Sequence, residues 1–224
     1  MTTPLQLTEP SRFSRLATWL FRYFFKLLYH QFAWAYDLVA WTVSLGRWNY
    51  WIRASMPYIH GPLVLELGHG PGHLQVTLSA TGFTAIGLDQ SPHMSHLARR
   101  RLLRKSISPK LIQGQSQFLP FASNTLPQLI VTFPSEYISD QRTLSEVYRV
   151  LTPGGSVVIL LFAWITGHNT LDRIAAWLFR ITGEAPTWED RFLMPARAMG
   201  FVTHSEFIDH PSSKLLFLHL QKPS

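Results

Sequence analysis

The chain has no cysteine, which excludes disulfides and thiolate metal sites. Acidic residues are also scarce: 13 Asp and Glu stand against 20 Lys and Arg, for a net charge of +7. From residue 90 to 135 there is no acid at all, while Arg99-Arg100-Arg101-Leu102-Leu103-Arg104-Lys105 crowds five cations together. That cluster suits the negative end of a helix dipole, or alternatively an anionic surface. No internal repeat, low-complexity tract or nucleic-acid-binding pattern is present, and no leader peptide with a small-residue cleavage site is expected. A clean membrane span is missing too. Leu27 to Gly46 has only Asp37 charged, but His30, Gln31, Thr42 and Ser44 make it a poor one. Of the histidines, His69 with His73 and His93 with His96 are close pairs without a third ligand nearby, so no metal is expected.

What is present is a glycine loop. The apolar run Val64 to Leu67 contains Glu66 and enters Gly68-His69-Gly70-Pro71-Gly72-His73. A second apolar run, Phe83 to Leu88, ends in Asp89. The first strand delivers backbone without side chains, and the second delivers a carboxylate that can grip a ribose diol. Together they point to a nucleoside cofactor. The dinucleotide fingerprint G-x-G-x-x-G is not met, because its third glycine would fall at His73.

Strands are expected at about 62–67, 83–88, 110–113, 128–133, 155–163, 201–209 and 213–220. Helices are expected near 73–80, 92–105, 140–151, 169–182 and 188–199. Their alternation implies a doubly wound α/β sheet, with the last two strands forming an antiparallel hairpin through His210-Pro211-Ser212-Ser213. The boundaries divide the chain into an N-terminal extension, residues 1–58, and a catalytic domain, residues 59–224.

Four segments in order resemble the motifs of class I S-adenosylmethionine-dependent methyltransferases. They are Glu66-Leu67-Gly68-His69-Gly70-Pro71-Gly72, Gly87 to Met94, Gln113 to Phe121 and Arg149-Val150-Leu151-Thr152-Pro153-Gly154-Gly155. The resemblance covers roughly residues 62 to 162. It implies a seven-stranded Rossmann-like sheet and S-adenosyl-L-methionine as cofactor. It also implies contacts from Glu66, Gly68, Gly70, Gly72, Asp89, Gln90, Met94, Gln115, Ser116 and Thr132, with Gln90 and Met94 flanking the adenine. Two positions depart from the pattern: Gln115 and Gln128 stand where the family usually has aspartate. A glutamine oxygen accepts the same hydrogen bond more weakly, so cofactor affinity is expected below the family's norm.

Residues 11–56 are crowded with aromatics, and Arg15, Arg22 and Lys26 share a helical face close to Arg12. This is the pattern of an interfacial helix, and equally of a cap over an active site. Tyr36-Asp37-Leu38, Ser44-Leu45-Gly46-Arg47 and Trp51 are similar to the segment preceding the first motif in ubiquinone and menaquinone biosynthesis C-methyltransferases. That similarity implies a small lipophilic acceptor such as a membrane quinol, and a cytoplasmic enzyme peripheral to the inner face of a membrane. Phospholipid N-methylation, and a non-catalytic cofactor-binding protein of the same fold, stay open as alternatives. Oligomeric state is not legible.

Methyl transfer from a sulfonium needs mainly alignment and exclusion of water, with a base only where the acceptor must lose a proton. His69, Tyr137 and His168 are the candidates for that base. Tyr36, Phe133, Pro134 and Trp164 are the candidates for the acceptor pocket.

Overall fold

The computed structural model describes Ser44, residues 46–166 and residues 192–224. Tyr36, His168, the basic residues Arg12 to Lys26 and the helix expected at 169–182 lie outside the described residues. Seven strands form one sheet in the order β3-β2-β1-β4-β5-β7-β6. They are β1 (Leu63–Leu67), β2 (Thr84–Asp89), β3 (Leu111–Gln113), β4 (Leu126–Thr132), β5 (Leu151–Ile165), β6 (Val202–His210) and β7 (Ser213–Gln221). Strands β1 to β5 pair in parallel, and β7 pairs antiparallel with both β5 and β6. The central strands are covered on both faces, which is why β1 and β4 read as near-continuous apolar runs rather than alternating ones.

The α-helices are α1 (Trp48–Arg53), α2 (His73–Ala80), α3 (Pro92–Leu103), α4 (Gln141–Val150) and α5 (Met194–Ala198), with short 3-10 helices at Met56–Tyr58 and Glu136–Ser139. Local chemistry marks their starts. Ser91 caps α3 through its Oγ, which accepts from the Met94 amide, and Pro92 fills the first turn. The Asp140 carboxylate caps α4 by accepting from the Arg142 amide. The helix expected over 188–199 is described from residue 192, where a π turn at 192–193 runs into the five residues of α5, with Pro195 in its first turn. No helix among the described residues is long and apolar enough to cross a membrane.

Two features of the sheet bear on the site. Gln128 is buried near the start of β4, where its Oε1 accepts from the His60 amide at 2.7 Å. Its Nε2 donates to the Tyr58 carbonyl at 2.8 Å and to Ser156 Oγ at 3.2 Å. The position therefore ties the entry of β1 to the sheet, at the opposite end of the strands from the glycine loop. It has no direct bearing on cofactor affinity, which corrects the expectation above. In β5 the register slips between Leu160 and Phe162. Before the slip Val158 and Leu160 face Trp51; after it Ala163 and Ile165 do, while Phe162 and Trp164 turn to the face of α4.

Candidate active site

The C-terminal ends of β1 and β2 meet in the glycine loop. Gly68, Gly70 and Gly72 all have positive φ, at +77°, +51° and +82°. The loop needs glycine at all three, but for different reasons. A Cβ on Gly68 would lie 2.5 Å from the Tyr137 hydroxyl, and one on Gly72 would lie 2.8–2.9 Å from Ala98 in α3. A Cβ on Gly70 would meet nothing within 4 Å. Gly72 thus admits a helix, Gly68 admits a tyrosine, and Gly70 alone leaves its face open.

Beside that open face stands Asp89, 2% exposed. Its Oδ2 accepts from the Gly70 amide and its Oδ1 from the Ser91 amide, both at 2.8 Å. A carboxylate only accepts, and the two hydroxyls of a diol are donors that suit it. Gln90 and Gln115 are exposed on either side. Met94 is fully buried on the inner face of α3, which corrects its expected place against the adenine: its side chain presents no open face. Ser116 is buried as well, its Oγ 2.9 Å from Thr143 Oγ1.

The loop that carries Gln115 and Ser116 is held from α4, by a pair that sequence reading passed over. Arg149 bonds Glu146 at 2.6 and 2.8 Å and donates to the carbonyls of Leu119 and Phe121 at 3.1 and 2.8 Å. Glu146 in turn accepts the Leu119 amide at 2.8 Å. Hydrogen bonding to Arg149 holds the Glu146 carboxyl below its ordinary pKa. The signal was an i, i+3 Glu–Arg pair on a helix, which is ordinarily only a surface ion pair.

Glu66 is 1% exposed and accepts from Gln75 Nε2 at 2.8 Å. Burial pushes its carboxyl up to about 8, the Gln75 hydrogen bond opposing and the charge of Asp89 adding to the shift. It is therefore a mainly protonated member of the buried strand at neutral pH.

The two described base candidates are engaged elsewhere. His69 is 3% exposed and its Nδ1 lies 2.7 Å from the Gly70 carbonyl. Burial lowers its pKa, and its other nitrogen is enclosed without a partner. Tyr137 donates its hydroxyl to the Leu67 carbonyl at 3.1 Å, and burial together with Asp89 and Glu66 raises its pKa. Neither is poised to take a proton from an acceptor molecule, which corrects that expectation.

Thr132 ends β4 opposite Leu160, and Phe133 follows it with φ +49°. A bulky residue in that region is strained, and such strain gathers at functional sites. The Phe133 amide donates to the Leu160 carbonyl at 2.8 Å, and its ring lies 4.4 Å from Trp48 and 6.1 Å from Trp51. Trp164 packs instead with Phe162 and Phe207. The structure therefore does not bring Trp164 together with Phe133; the slip in β5 separates them, and Trp48 is the aromatic packed beside Phe133. Pro134 is half-buried next to Phe133. Among the described residues no group of three or more His, Asp or Glu could hold a metal ion.

Comparison with known proteins follows the same lines. Residues 64–155 match the family described as a methyltransferase domain. A ubiquinone/menaquinone biosynthesis C-methyltransferase from Blochmanniella floridana is 30% identical over 160 residues, covering 67% of this chain and 63% of that protein. A demethylmenaquinone methyltransferase from Thermobifida fusca is 31% identical over 153 residues, covering 65% and 64%. The chain thus spans less than about two thirds of the length of either relative. Among solved structures, phosphoethanolamine N-methyltransferase 2 of Haemonchus contortus superposes with a TM-score of 0.57 at 16% identity, covering 80% of this chain and 53% of that one. At that identity the likeness speaks for the fold alone.

Proposed function

We propose a methyltransferase acting on a small, lipophilic acceptor, and the premise is that the chain belongs to the class I S-adenosylmethionine-dependent methyltransferases. The observation that carries the reading is the open, buried face of Gly70 beside the Asp89 carboxylate. A nucleoside fits there, with Asp89 accepting from its ribose hydroxyls and Gln90 and Gln115 at its base. When bound, S-adenosylmethionine supplies a methyl carbon already activated by a sulfonium.

The chain's own residues then align and enclose. Thr132, Phe133 and Pro134 bring the end of β4 to the loop, and Tyr137 closes over Gly68. With His69 and Tyr137 both committed to backbone carbonyls, catalysis rests on alignment and exclusion of water. The Phe133–Trp48 pair, its rings tilted 36° to one another, offers an aromatic apolar surface suited to a quinol ring. Calorimetry with S-adenosylhomocysteine tests the site. Asp89→Ala should lose about 1.5–3 kcal/mol of binding, and unchanged affinity would remove Asp89 from it. Turnover of labelled cofactor on a quinol separates an enzyme from a binding protein of the same fold.

We further propose that the acceptor is met at an anionic membrane surface. Supporting this are the basic, aromatic residues 11–43 and a second group of exposed cations, Arg99, Arg100, Arg104, Lys105 and Lys110, around the exposed Leu103. Each cation near an anionic leaflet contributes about 1 kcal/mol. Reversing Arg12, Arg15, Arg22 and Lys26 to Glu should abolish low-salt sedimentation with anionic liposomes while cofactor binding survives. A parent protein that ignores such liposomes would leave the N-terminal segment as a lid only.

A further inference from the structure

We propose that His69 is a positioning residue that holds the Gly70 peptide in its cofactor-receiving conformation while Asp89 is engaged by the ligand. The inference rests on the adenosyl-cofactor reading above and adds to it a residue that the glycine motif itself does not specify.

Gly70 is gripped on both sides of its Cα. Its amide donates to Asp89 Oδ2 at 2.8 Å, and its carbonyl lies 2.7 Å from His69 Nδ1. A carbonyl only accepts, so Nδ1 must carry a proton, and because burial disfavours the charged ring, the form that fits is the neutral tautomer protonated on Nδ1. The opposite nitrogen, Nε2, is then the lone-pair atom, and it is buried with no partner, which a lone pair tolerates better than an N–H would. The ring's hydrogen bond to another residue is the one to Gly70.

The ring is also accommodated on the far side. A Cβ on Gly87 of β2 would lie 2.9 Å from His69 Cδ2, so the absence of a side chain there makes room for the imidazole. Packing at that depth fixes the ring, and the ring fixes the peptide.

The two grips on Gly70 are not equivalent once a diol arrives. Ribose hydroxyls compete with the Gly70 amide for the oxygens of Asp89, which loosens one of them. The His69 grip faces the interior and is untouched by that competition. His69 therefore keeps the Gly70 face open in the bound state, where Asp89 is shared.

The test measures S-adenosylhomocysteine affinity by calorimetry in the parent, His69→Leu and His69→Asn, alongside nitrogen-15 spectra of the histidine rings in the parent. His69→Leu removes the donor and should bind roughly tenfold more weakly. His69→Asn places an amide nitrogen the same number of bonds from Cα as Nδ1 and should recover most of that loss. Rescue by Asn separates positioning from a purely steric role, because Leu fills the space better than Asn does. The spectra should show His69 protonated on Nδ1 alone near neutral pH. Parent-like affinity in a folded His69→Leu, or a proton on Nε2 instead, overturns the inference. If His69→Leu fails to fold, the Asn affinity and the ring spectra decide. A parent that binds no S-adenosylhomocysteine, with the Nδ1 proton in place, shows that the cofactor reading has failed rather than the geometry, and the inference falls with it.

Discussion

Replacing Glu66 with Gln should stabilise the protein at and above neutral pH and flatten the way its stability depends on pH. The carboxyl has a folded pKa of about 8 against an ordinary 4.5. Its raised value means that the folded state keeps a proton which the unfolded chain gives up. Glu66 therefore costs nothing below pH 4.5, where both states are protonated. The penalty grows as pH rises from 4.5 to 8 and is constant beyond, reaching on the order of 3 kcal/mol at pH 7. Glutamine keeps an oxygen to accept from Gln75 and carries no charge to bury, although its extra amide hydrogen offsets part of the gain. The melting temperature should rise by roughly 5–10 °C at pH 8 and change little at pH 4.5. Parallel pH curves for parent and variant would mean that Glu66 is ionised in the fold and that its burial is otherwise compensated.

The second large effect separates two glycines that look alike in the motif. Gly72→Ala places a Cβ within 2.9 Å of the Ala98 backbone, so α3 must move. Together with its φ of +82°, this should cost about 3 kcal/mol or more of stability. Gly70→Ala meets no atom, and its left-handed φ alone costs about 1–2 kcal/mol. It should leave a folded protein that has lost most affinity for S-adenosylhomocysteine, because the methyl occupies the cofactor's face. Thermal melting and calorimetry on both variants check the contrast. The opposite pattern, with Gly70→Ala binding normally, would move the cofactor away from this loop.

That contrast shows what a linear motif conveys and what it does not. Apolar runs bounded by polar turns located all seven strands to within a few residues, because burial and pairing act on the same short windows. The start of β5 was less clear: Pro153-Gly154-Gly155 reads as a turn, yet Leu151 already pairs with Leu126 before the irregularity. Spacing identified the glycine loop and Asp89, but not which glycine serves packing, since the neighbour of Gly72 lies 26 residues away in another helix. Gln128 looked like a weakened cofactor contact and proved to be a fully bonded clamp at the far end of its strand. Phe133 follows β4 and Trp164 lies near the end of β5, yet one extra residue in β5 turns the tryptophan away. His69 gave no warning of its hydrogen bond, because a ring nitrogen's partner is a matter of tautomer and packing rather than pattern.

The place of β7 between β5 and β6 has a consequence for synthesis. Strand β5 is 15 residues long and largely apolar, and its outer edge is paired only by the residues of β7. As the chain leaves the ribosome, the parallel half of the sheet can assemble while that edge is still bare. It stays bare until residue 221 has emerged, and β6, though made first, cannot cover it without displacing the later strand's place. A long, unpaired apolar edge is a template for other chains. The nascent chain is therefore most vulnerable to aggregation between the emergence of β5 and that of β7, and the tight turn at Pro211-Ser212 sets how quickly that window closes.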